Sequence, residues 1–269
     1  MSYIDTPGAR LLVRDCGPAH APPIVLSNSL GTTHHMWDEV SSILSEHFRV
    51  IRYDTRGHGG SVWDGSPFEI ADLAADVIAI LDELRITKAH FAGLSLGGMT
   101  GQVLGADHPA RIATLSLLAT SAYMPPPSGW TDRAVLVRRE GTKAILPATL
   151  ERWFTQGCLK RQTPQVRLIG EEFIDIDREG YGACCEAISR MDLRELGAKI
   201  SVPTLIIAGA NDVATPIEMA RDLHQGIADS RLVVLEPAAH LLAVEQPLMV
   251  AEHLSRHVLG LSAVGATRQ

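Results

Sequence analysis

The stretch AHFAGLSLGGM, residues 89–99, guides the interpretation of the rest of the chain. It begins with a short apolar run typical of a buried strand, and GLSLG at 93–97 then fits the pattern G-x-S-x-G. That pattern indicates a sharp turn from a strand into a helix, with the serine at its tip in a strained backbone conformation. Glycine is needed two residues to either side, because a Cβ atom there would collide with the neighbouring strand and helix. We therefore predict that Ser95 is a nucleophile, not part of an incidental glycine-rich turn.

Composition and charge are those of an ordinary soluble globular protein. The chain has 269 residues, 46% hydrophobic and 20% charged, which suffices for one large α/β domain with an insertion or for two small domains. Its formal net charge of −7 argues against nucleic acid or an anionic membrane surface as a partner. The N-terminus lacks the features of a secretory signal, and no apolar run approaches the roughly 20 residues of a membrane span. We expect a cytoplasmic protein with no membrane partner.

Strand and helix signals alternate along the first half of the chain. The predicted strands are residues 10–15, 24–26, 48–53, 89–92 and 112–119. The predicted helices are residues 36–44, 70–84 and 99–107. Alternation with short connections predicts an α/β fold, with a mostly parallel sheet and helices on both of its faces.

The alternation stops at Tyr123, and the next residues with strand character are 204–208 and 232–235. The segment between them has the pattern of helices and loops. We predict that residues 1–122 and 194–262 form the core, that 123–193 form a helical cap inserted over the strand ends, and that 263–269 are a loose tail. A small-molecule pocket would lie between sheet and cap.

Ser95 needs a base, and two late strands each end in a suitable residue. Asp212 follows the strand that ends at Ala208, and His240 follows the strand that ends at Leu235. The order Ser, Asp, His is the one that hydrolases of this topology use. His240 would remove the serine proton, while Asp212 would fix the imidazole tautomer and stabilise its positive charge.

Other polar residues suggest weaker candidate sites. His253 and His257 are four residues apart on the last predicted helix, but no third ligand accompanies them, so a solvated helix face is expected rather than a metal site. His34 and His35 follow the loop expected to supply half of an oxyanion hole and could line the pocket mouth. Asp54 and His58 are expected to fix a tight loop. The cysteines, which show no metal-ligand spacing, are expected to be free thiols; they are Cys16, Cys158, Cys184 and Cys185.

The sequence contexts of Ser95, Asp212 and His240 resemble those of the catalytic triad in proteins of the α/β-hydrolase fold. This resemblance covers nearly the whole chain. A closer resemblance is to the 3-oxoadipate enol-lactonases of aromatic-acid degradation. It rests on SNSLG at 27–31, Met36-Trp37, YDTRGHG at 53–59, GLSLGGM at 93–99 and RWFT at 152–155. The serine turn is generic, whereas SNSLG and RWFT are more specific. Many hydrolases have His-Gly where this chain has Asn28-Ser29, a departure typical of the lactonases.

The resemblance implies a substrate and a mechanism. The substrate would be a small anionic enol-lactone with a carboxymethyl arm, opened by water to 3-oxoadipate in the β-ketoadipate pathway. Ser95 would attack the lactone carbonyl, and the backbone N–H groups of Leu30 and Leu96 would hold the oxyanion. Water activated by His240 would then release the acyl-enzyme. Neither a metal nor an organic cofactor is expected.

An anionic substrate in an acidic protein requires a local cation. Residues 130–167 carry eight basic and three acidic side chains, so this segment is positively charged although the whole chain has a net negative charge. On the helix that begins near Trp130, Arg138 and Arg133 flank the predicted apolar face. Arg138 is the first candidate for the carboxylate anchor, because its setting also resembles the lactonases, and Arg133 is the second. Trp153, in the RWFT stretch, is a further substrate-binding candidate.

Three other functions remain open from the sequence. A general carboxylesterase or a cofactor-free perhydrolase would share the triad but need no cation in the cap. A carbon–carbon bond hydrolase would use the same fold, and a ligand-binding receptor would not need the triad intact. Haloalkane dehalogenases and epoxide hydrolases are excluded, because they carry an aspartate at the position of Ser95.

Overall fold

In the computed structural model, which describes residues 1–260, nine strands form a single sheet. The strands are β1 (Ser2–Thr6), β2 (Ala9–Cys16), β3 (Pro23–Ser27), β4 (Arg49–Tyr53), β5 (Val62–Trp63), β6 (Ala89–Leu94), β7 (Ile112–Leu118), β8 (Thr204–Gly209) and β9 (Ser230–Leu235). Their order across the sheet is β1-β2-β4-β3-β6-β7-β8-β9, with β5 paired to β2.

The central part of the sheet is parallel, from β4 through β3 and β6 to β9. These strands are rich in apolar residues because helices cover them, and every residue of β8 is buried. Antiparallel pairing is confined to β1, β2 and β5 at one side. The predicted α/β fold with a mostly parallel sheet is confirmed.

Eleven α-helices lie within residues 1–260. They are α1 (Asp38–Leu44), α2 (Ile70–Glu83), α3 (Leu96–Asp107), α4 (Pro127–Glu140), α5 (Leu146–Trp153), α6 (Gln156–Arg161), α7 (Pro164–Asp175), α8 (Arg178–Arg190), α9 (Ile217–Gly226), α10 (Leu242–Glu245) and α11 (Pro247–Val258). Three short 3₁₀ helices accompany them: His34–Trp37, Thr142–Ile145 and Arg194–Lys199. α1 packs against α11, and α2 packs against α3.

Helices α4 to α8 all fall between β7 and β8, and α4 packs along α8. No strand lies in this segment, which the structure describes in full. β7 and β8 are neighbours in the sheet although more than 80 residues separate them in sequence. The division into a core and a cap at 123–193 stays a prediction, and the tail predicted at 263–269 lies outside the described residues.

Some predicted boundaries differ from the structure. The sequence interpretation missed β1 and β5, which are short and lie at the antiparallel side of the sheet. The helix after Ser95 begins at Leu96 rather than Met99, so the serine directly precedes it. The helix predicted at 36–44 is a 3₁₀ turn, His34–Trp37, followed by α1.

Two glycines bring the loop after β4 into backbone contact with α8. Gly57 has a φ angle of +66°, and a Cβ atom placed on it would lie 2.4 Å from the Cα atom of Gly180. A Cβ atom on Gly180 would lie equally close, 2.4 Å, to the Cα atom of Gly57. The two backbone segments therefore lie so close together that neither position can carry a side chain.

The same loop is fixed by a buried ion pair. Arg56 Nε lies 2.5 Å from Asp76 Oδ2, and one terminal nitrogen of Arg56 donates both to Asp76 Oδ1 and to the carbonyl of Pro7. Asp76 also accepts a hydrogen bond from Thr6 Oγ1. Both charged side chains are almost fully buried, at 4% and 2% exposure, so each depends on the other to balance its charge.

We expect Arg56→Leu to lower the free energy of unfolding by about 3–5 kcal/mol, because it leaves the Asp76 carboxylate buried without its partner. Urea unfolding followed by circular dichroism measures this. Arg139→Leu is the control, since its ion pair with Glu140 is exposed and should contribute less than about 1 kcal/mol. Equal effects of the two substitutions would contradict the importance of the buried pair.

Candidate active site

Ser95 lies at the tip of the turn between β6 and α3, in the strained conformation that the sequence predicts. Its φ and ψ angles are 56° and −110°. The turn is tight: a Cβ atom on Gly93 would lie 2.1 Å from the carbonyl oxygen of Gly97. Ser95 N donates to the carbonyl of Leu118, and Thr120 Oγ1 donates to the carbonyl of Ser95 at 2.7 Å. The surrounding structure thus holds the serine in a backbone conformation that is unfavourable for a residue with a side chain.

Asp212 and His240 lie in the connections that follow β8 and β9, and their side chains are hydrogen-bonded. His240 Nδ1 and Asp212 Oδ2 are 2.8 Å apart, and both residues are buried. With Nδ1 facing the carboxylate, Nε2 is the ring nitrogen that remains available for other chemistry. Ser95 and His240 line the same cavity. The structure therefore brings together the three residues that the sequence suggests as a triad.

The Asp212 carboxylate is held in its charged form. Burial alone would raise its pKa, but the charge of His240, the hydrogen bond from His240 and the hydrogen bonds from Thr215 together hold it below its usual value. Oδ1 accepts from the backbone N–H groups of Ala214 and Thr215, at 2.7 and 2.9 Å, and Oδ2 also accepts from Thr215 Oγ1 at 2.7 Å. An ionised carboxylate in this position can orient and stabilise an imidazolium.

The cavity lies between the sheet and the helices that follow β7. Its lining is mainly apolar and aromatic, with a few convergent polar groups, as is usual for small-molecule sites. The lining residues from the sheet side include Leu30, Ser95, Met99, Thr215 and His240. Those from the helical segment include Trp130, Arg133, Arg152, Trp153 and Tyr181.

The loop that follows β3 brings Leu30 to the cavity beside Ser95. His58 Nε2 accepts a hydrogen bond from the N–H of Gly31 at 3.0 Å, while its Nδ1 lies 3.0 Å from the carbonyl of Arg56. Burial lowers the pKa of His58, so the neutral ring can accept at one nitrogen and donate at the other. Asn28 fixes the loop from the other side, because its carbonyl accepts from Gly97 N at 2.9 Å. Leu96 is the first residue of α3, where N–H groups have no partner within the helix.

Arg138, the first candidate for a carboxylate anchor, is not at the cavity. Its guanidinium donates to Glu179 Oε2 at 3.0 Å and also to Glu186 Oε1, and both glutamates belong to α8. These hydrogen bonds, above all that to Glu186, raise the pKa of Arg138. The side chain is already paired with α8 and does not line the cavity, so the structure does not place Arg138 where the predicted carboxylate anchor would have to be.

Arg133, the second candidate, faces the cavity from the opposite flank of α4, and Arg152 of α5 joins it there. Arg133 donates to Thr149 Oγ1 at 3.1 Å, its guanidinium lies over the Trp130 and Tyr181 rings, and its Nε is buried without a partner. Within the described residues neither arginine is paired with a carboxylate. Burial and the charge of Arg133 lower the pKa of Arg152. An anion bound here would meet two guanidinium groups.

The remaining sequence candidates lie away from the cavity. His34 is buried and hydrogen-bonded to Asp54 Oδ1 at 2.8 Å, and His35 is 2.8 Å from Asp38, so neither lines the cavity. Asp54 does fix its loop, accepting from the N–H groups of His34 and Gly60. His257 Nε2 faces the carbonyls of Leu115 and Pro203. Among residues 1–260, no three metal-ligating side chains cluster in a way that could hold an ion.

Two further properties follow from the described part of the chain. No helix between residues 1 and 260 combines the length and the apolar character needed to cross a bilayer. All four cysteines are free thiols, as expected from their spacing. Burial is the main reason that the pKa of Cys158 rises to about 11, which leaves this thiol protonated and unreactive at neutral pH.

The chain is similar to proteins of known activity over most of its length. A family model described as alpha/beta hydrolase fold matches residues 22–247. The chain is 40% identical over 231 residues to 3-oxoadipate enol-lactonase 2 of Acinetobacter baylyi, with 86% of both chains covered. It is 38% identical over 241 residues to 3-oxoadipate enol-lactonase 1 of the same organism, covering 89% of this chain and 90% of the relative.

A solved structure agrees with these sequence matches. It is the crystal structure of the enol-lactonase from Burkholderia xenovorans LB400, which is 41% identical to this chain. The two superpose with a TM-score of 0.93, over 96% of this chain and 100% of that one.

Proposed function

The chain belongs to the alpha/beta hydrolase fold family and is a hydrolase, and we propose that within this family it opens 3-oxoadipate enol-lactone with water, giving 3-oxoadipate in the β-ketoadipate pathway. One observation carries the proposal. Ser95 and His240 line one cavity together with two arginines that have no carboxylate partner among residues 1–260. A nucleophile paired with a base can attack an acyl carbon, and the arginines can bind an anionic group on the same substrate.

In the first half of the reaction, His240 Nε2 takes the proton of Ser95 as Oγ attacks the lactone carbonyl. Asp212 holds Nδ1 and stabilises the imidazolium that forms. The N–H groups of Leu30 and Leu96 bind the developing oxyanion, and one such donor is worth about 2.7–4 kcal/mol in other enzymes. Collapse of the intermediate breaks the ring C–O bond and expels an enolate.

In the second half, the His240 imidazolium gives the proton that it took from Ser95 to the enolate, which becomes the ketone of the product chain and leaves His240 neutral. His240 then activates a water molecule, which attacks the acyl group on Ser95 and releases a carboxylate. An enolate is a better leaving group than an alkoxide, so the oxyanion hole and the base are sufficient for ring opening.

Arg133 and Arg152 take the role for which Arg138 was the first candidate, binding the carboxymethyl arm. Guanidinium groups suit a carboxylate because they can donate two parallel hydrogen bonds to it. Helices α4 and α5 carry these arginines, and with α6 to α8 we propose that they form the cap over the site. Trp153, at the end of α5, forms the adjoining apolar wall of the cavity.

The direct test compares enol-lactone with p-nitrophenyl acetate as substrates for the purified protein. We expect a far higher kcat/KM for the lactone, because only the lactone presents an anionic arm to the two arginines. A higher kcat/KM for the neutral ester would contradict the proposal and favour a general carboxylesterase.

For the arginines, we expect Arg133→Ala and Arg152→Ala each to lower kcat/KM for the lactone by roughly ten- to a hundredfold. A hydrogen bond to a charged group is worth about 1.5–3 kcal/mol, and this one is made equally in the ground and transition states. The loss should therefore appear mainly as a raised KM. Lysine at either position should recover only part of it.

The measurement is the ratio of kcat/KM for the lactone to that for p-nitrophenyl acetate. The matched control is Arg138→Ala, which removes a guanidinium from the same helix as Arg133 but from outside the cavity. It should leave the ratio unchanged. A fall in the ratio for Arg138→Ala alone would restore the original assignment.

A further inference from the structure

The backbone on both sides of His240 is attached to one short segment, Trp153–Thr155, at the end of α5. On one side, Leu241 N donates to the carbonyl of Trp153 at 2.9 Å. On the other side, Ala239 N donates to Glu245 Oε2 at 2.6 Å. Because Trp153 lines the cavity, the segment that carries the candidate base and one wall of the cavity are directly connected.

Glu245 completes the second connection through its other oxygen. Oε1 accepts from Thr155 N at 3.1 Å and from Thr155 Oγ1 at 2.6 Å. A single carboxylate thus accepts three hydrogen bonds, one from the residue before His240 and two from the segment after Trp153. A carboxylate is suited to this position because both of its oxygens only accept.

We propose that Glu245 is a positioning residue, which fixes His240 relative to the cavity wall formed by Arg152 and Trp153. Glu245 itself does not line the cavity, and it acts through the backbone of Ala239 and through the backbone and hydroxyl of Thr155. The proposal rests on the proposed function only in taking His240 as the base and Arg152 as the anion anchor.

The need for such a connection follows from the geometry of the reaction. The base belongs to the connection after β9, whereas the anchor belongs to α5, which lies between β7 and β8 in sequence. A bound lactone would span both groups, so a shift of either one misplaces the carbonyl relative to Ser95. A misplacement of about 1 Å can reduce a rate by about a hundredfold.

The test is Glu245→Gln, assayed with p-nitrophenyl acetate and with the enol-lactone. An amide has one oxygen, so glutamine can accept at Ala239 or at Thr155, and its NH₂ group then opposes an N–H donor at the other end. We expect kcat for the ester to fall roughly ten- to a hundredfold with KM unchanged, because the base has moved. We also expect the acidic limb of the pH profile of kcat/KM to move to lower pH, because an imidazolium displaced from Asp212 is less stabilised.

Folding is separated from positioning by counting active sites. The organophosphate paraoxon labels Ser95, and mass spectrometry counts the labelled fraction, so that kcat is expressed per active site. The control is Glu69→Gln. This variant also removes a carboxylate that connects distant segments of the chain, because Glu69, at the start of α2, accepts a hydrogen bond from Arg190 of α8. Glu69→Gln should keep the wild-type kcat per site and the wild-type pH profile.

A second pair of variants tests the same connection if Glu245→Gln fails to fold. Thr155→Val removes the hydroxyl donor to Oε1 and also the N-cap of α6, where the same hydroxyl accepts from Cys158 N at 3.2 Å. Loss of the hydrogen bond to Oε1 should lower kcat by about fivefold, the equivalent of one ordinary hydrogen bond. Thr155→Ser keeps the hydroxyl and should stay within about twofold of wild type.

Wild-type kcat per site and an unmoved acidic limb in Glu245→Gln would overturn the proposal, as would equal behaviour of Thr155→Val and Thr155→Ser. If wild type fails to open the lactone but the variants still change ester hydrolysis as expected, then the proposed substrate is wrong and the positioning role stands.

Discussion

Ser95→Ala is expected to reduce kcat for the enol-lactone by about 10⁴- to 10⁶-fold, because it removes the only atom that forms the acyl-enzyme. Loss of the nucleophile in another serine hydrolase costs about 10⁶ in kcat. The fold should be retained, since the strain at residue 95 is a property of the backbone and alanine has the smaller side chain. Circular dichroism and the thermal midpoint check the fold, and single-turnover assays measure the rate.

The control for this prediction is Ser29→Ala, which removes another serine hydroxyl from the cavity lining. It should keep most of the activity, because it leaves the attacking atom in place. Turnover by Ser95→Ala within tenfold of wild type would contradict the assignment of the nucleophile.

The second large effect is expected for Asp212→Asn, at about 10⁴-fold in kcat with little change in KM. The same replacement in another triad costs about this much. Here the backbone N–H groups of Ala214 and Thr215 would hold the amide oxygen at the place of Oδ1. The NH₂ group would then face His240 Nδ1 and force that nitrogen to accept. Nε2 would carry the proton, so the imidazole could no longer remove one from Ser95.

The measurement is kcat for the lactone across pH, with Asp222→Asn as control for the loss of a carboxylate on the helix α9 that follows. The control should match wild type. A nearly silent Asp212→Asn would mean that another carboxylate orients His240, and a carboxylate after an earlier strand would be the next candidate.

The sequence was sufficient for the fold class because most residues of the parallel strands are apolar and periodic helices separate several of these strands. The fold class and the family were both confirmed. The triad residues could be proposed because each follows a strand end, and the carboxyl ends of parallel strands meet at one edge of a sheet. Their catalytic roles stay predictions until the variants are measured. β1 escaped detection because only one of its five residues is buried, and β5 because it has only two residues.

The proposed carboxylate anchor was harder to predict, because helical periodicity defines the two flanks of α4 but not the residues that each flank contacts. Arg133 and Arg138 border the same buried face of α4, but α8 presents Glu179 and Glu186 to Arg138. The partners lie more than 40 residues away in sequence, and the contact depends on how two helices pack. Arg152 was visible in the RWFT stretch, but only the fold brings it beside Arg133.

Glu245 was missed for a related reason. Its sequence signal is a carboxylate five residues after His240, which alone is no more informative than any acidic residue on a helix. The proposed role of Glu245 depends on its hydrogen bonds with Thr155, which lies 90 residues earlier in the chain. Relations of this kind become visible only when the three-dimensional arrangement is known.

The backbone contact between Gly57 and Gly180 has a consequence for how this active site can diversify. It joins the loop after β4 to the first turn of α8, at a separation that leaves no room for a Cβ atom on either glycine. Any mutation at either glycine introduces a Cβ atom and separates the two segments, so neither position offers a gradual route to a roomier site. New substrate ranges are therefore accessible to evolution, or to an engineer, through the side chains that line the cavity rather than through the spacing of these two segments.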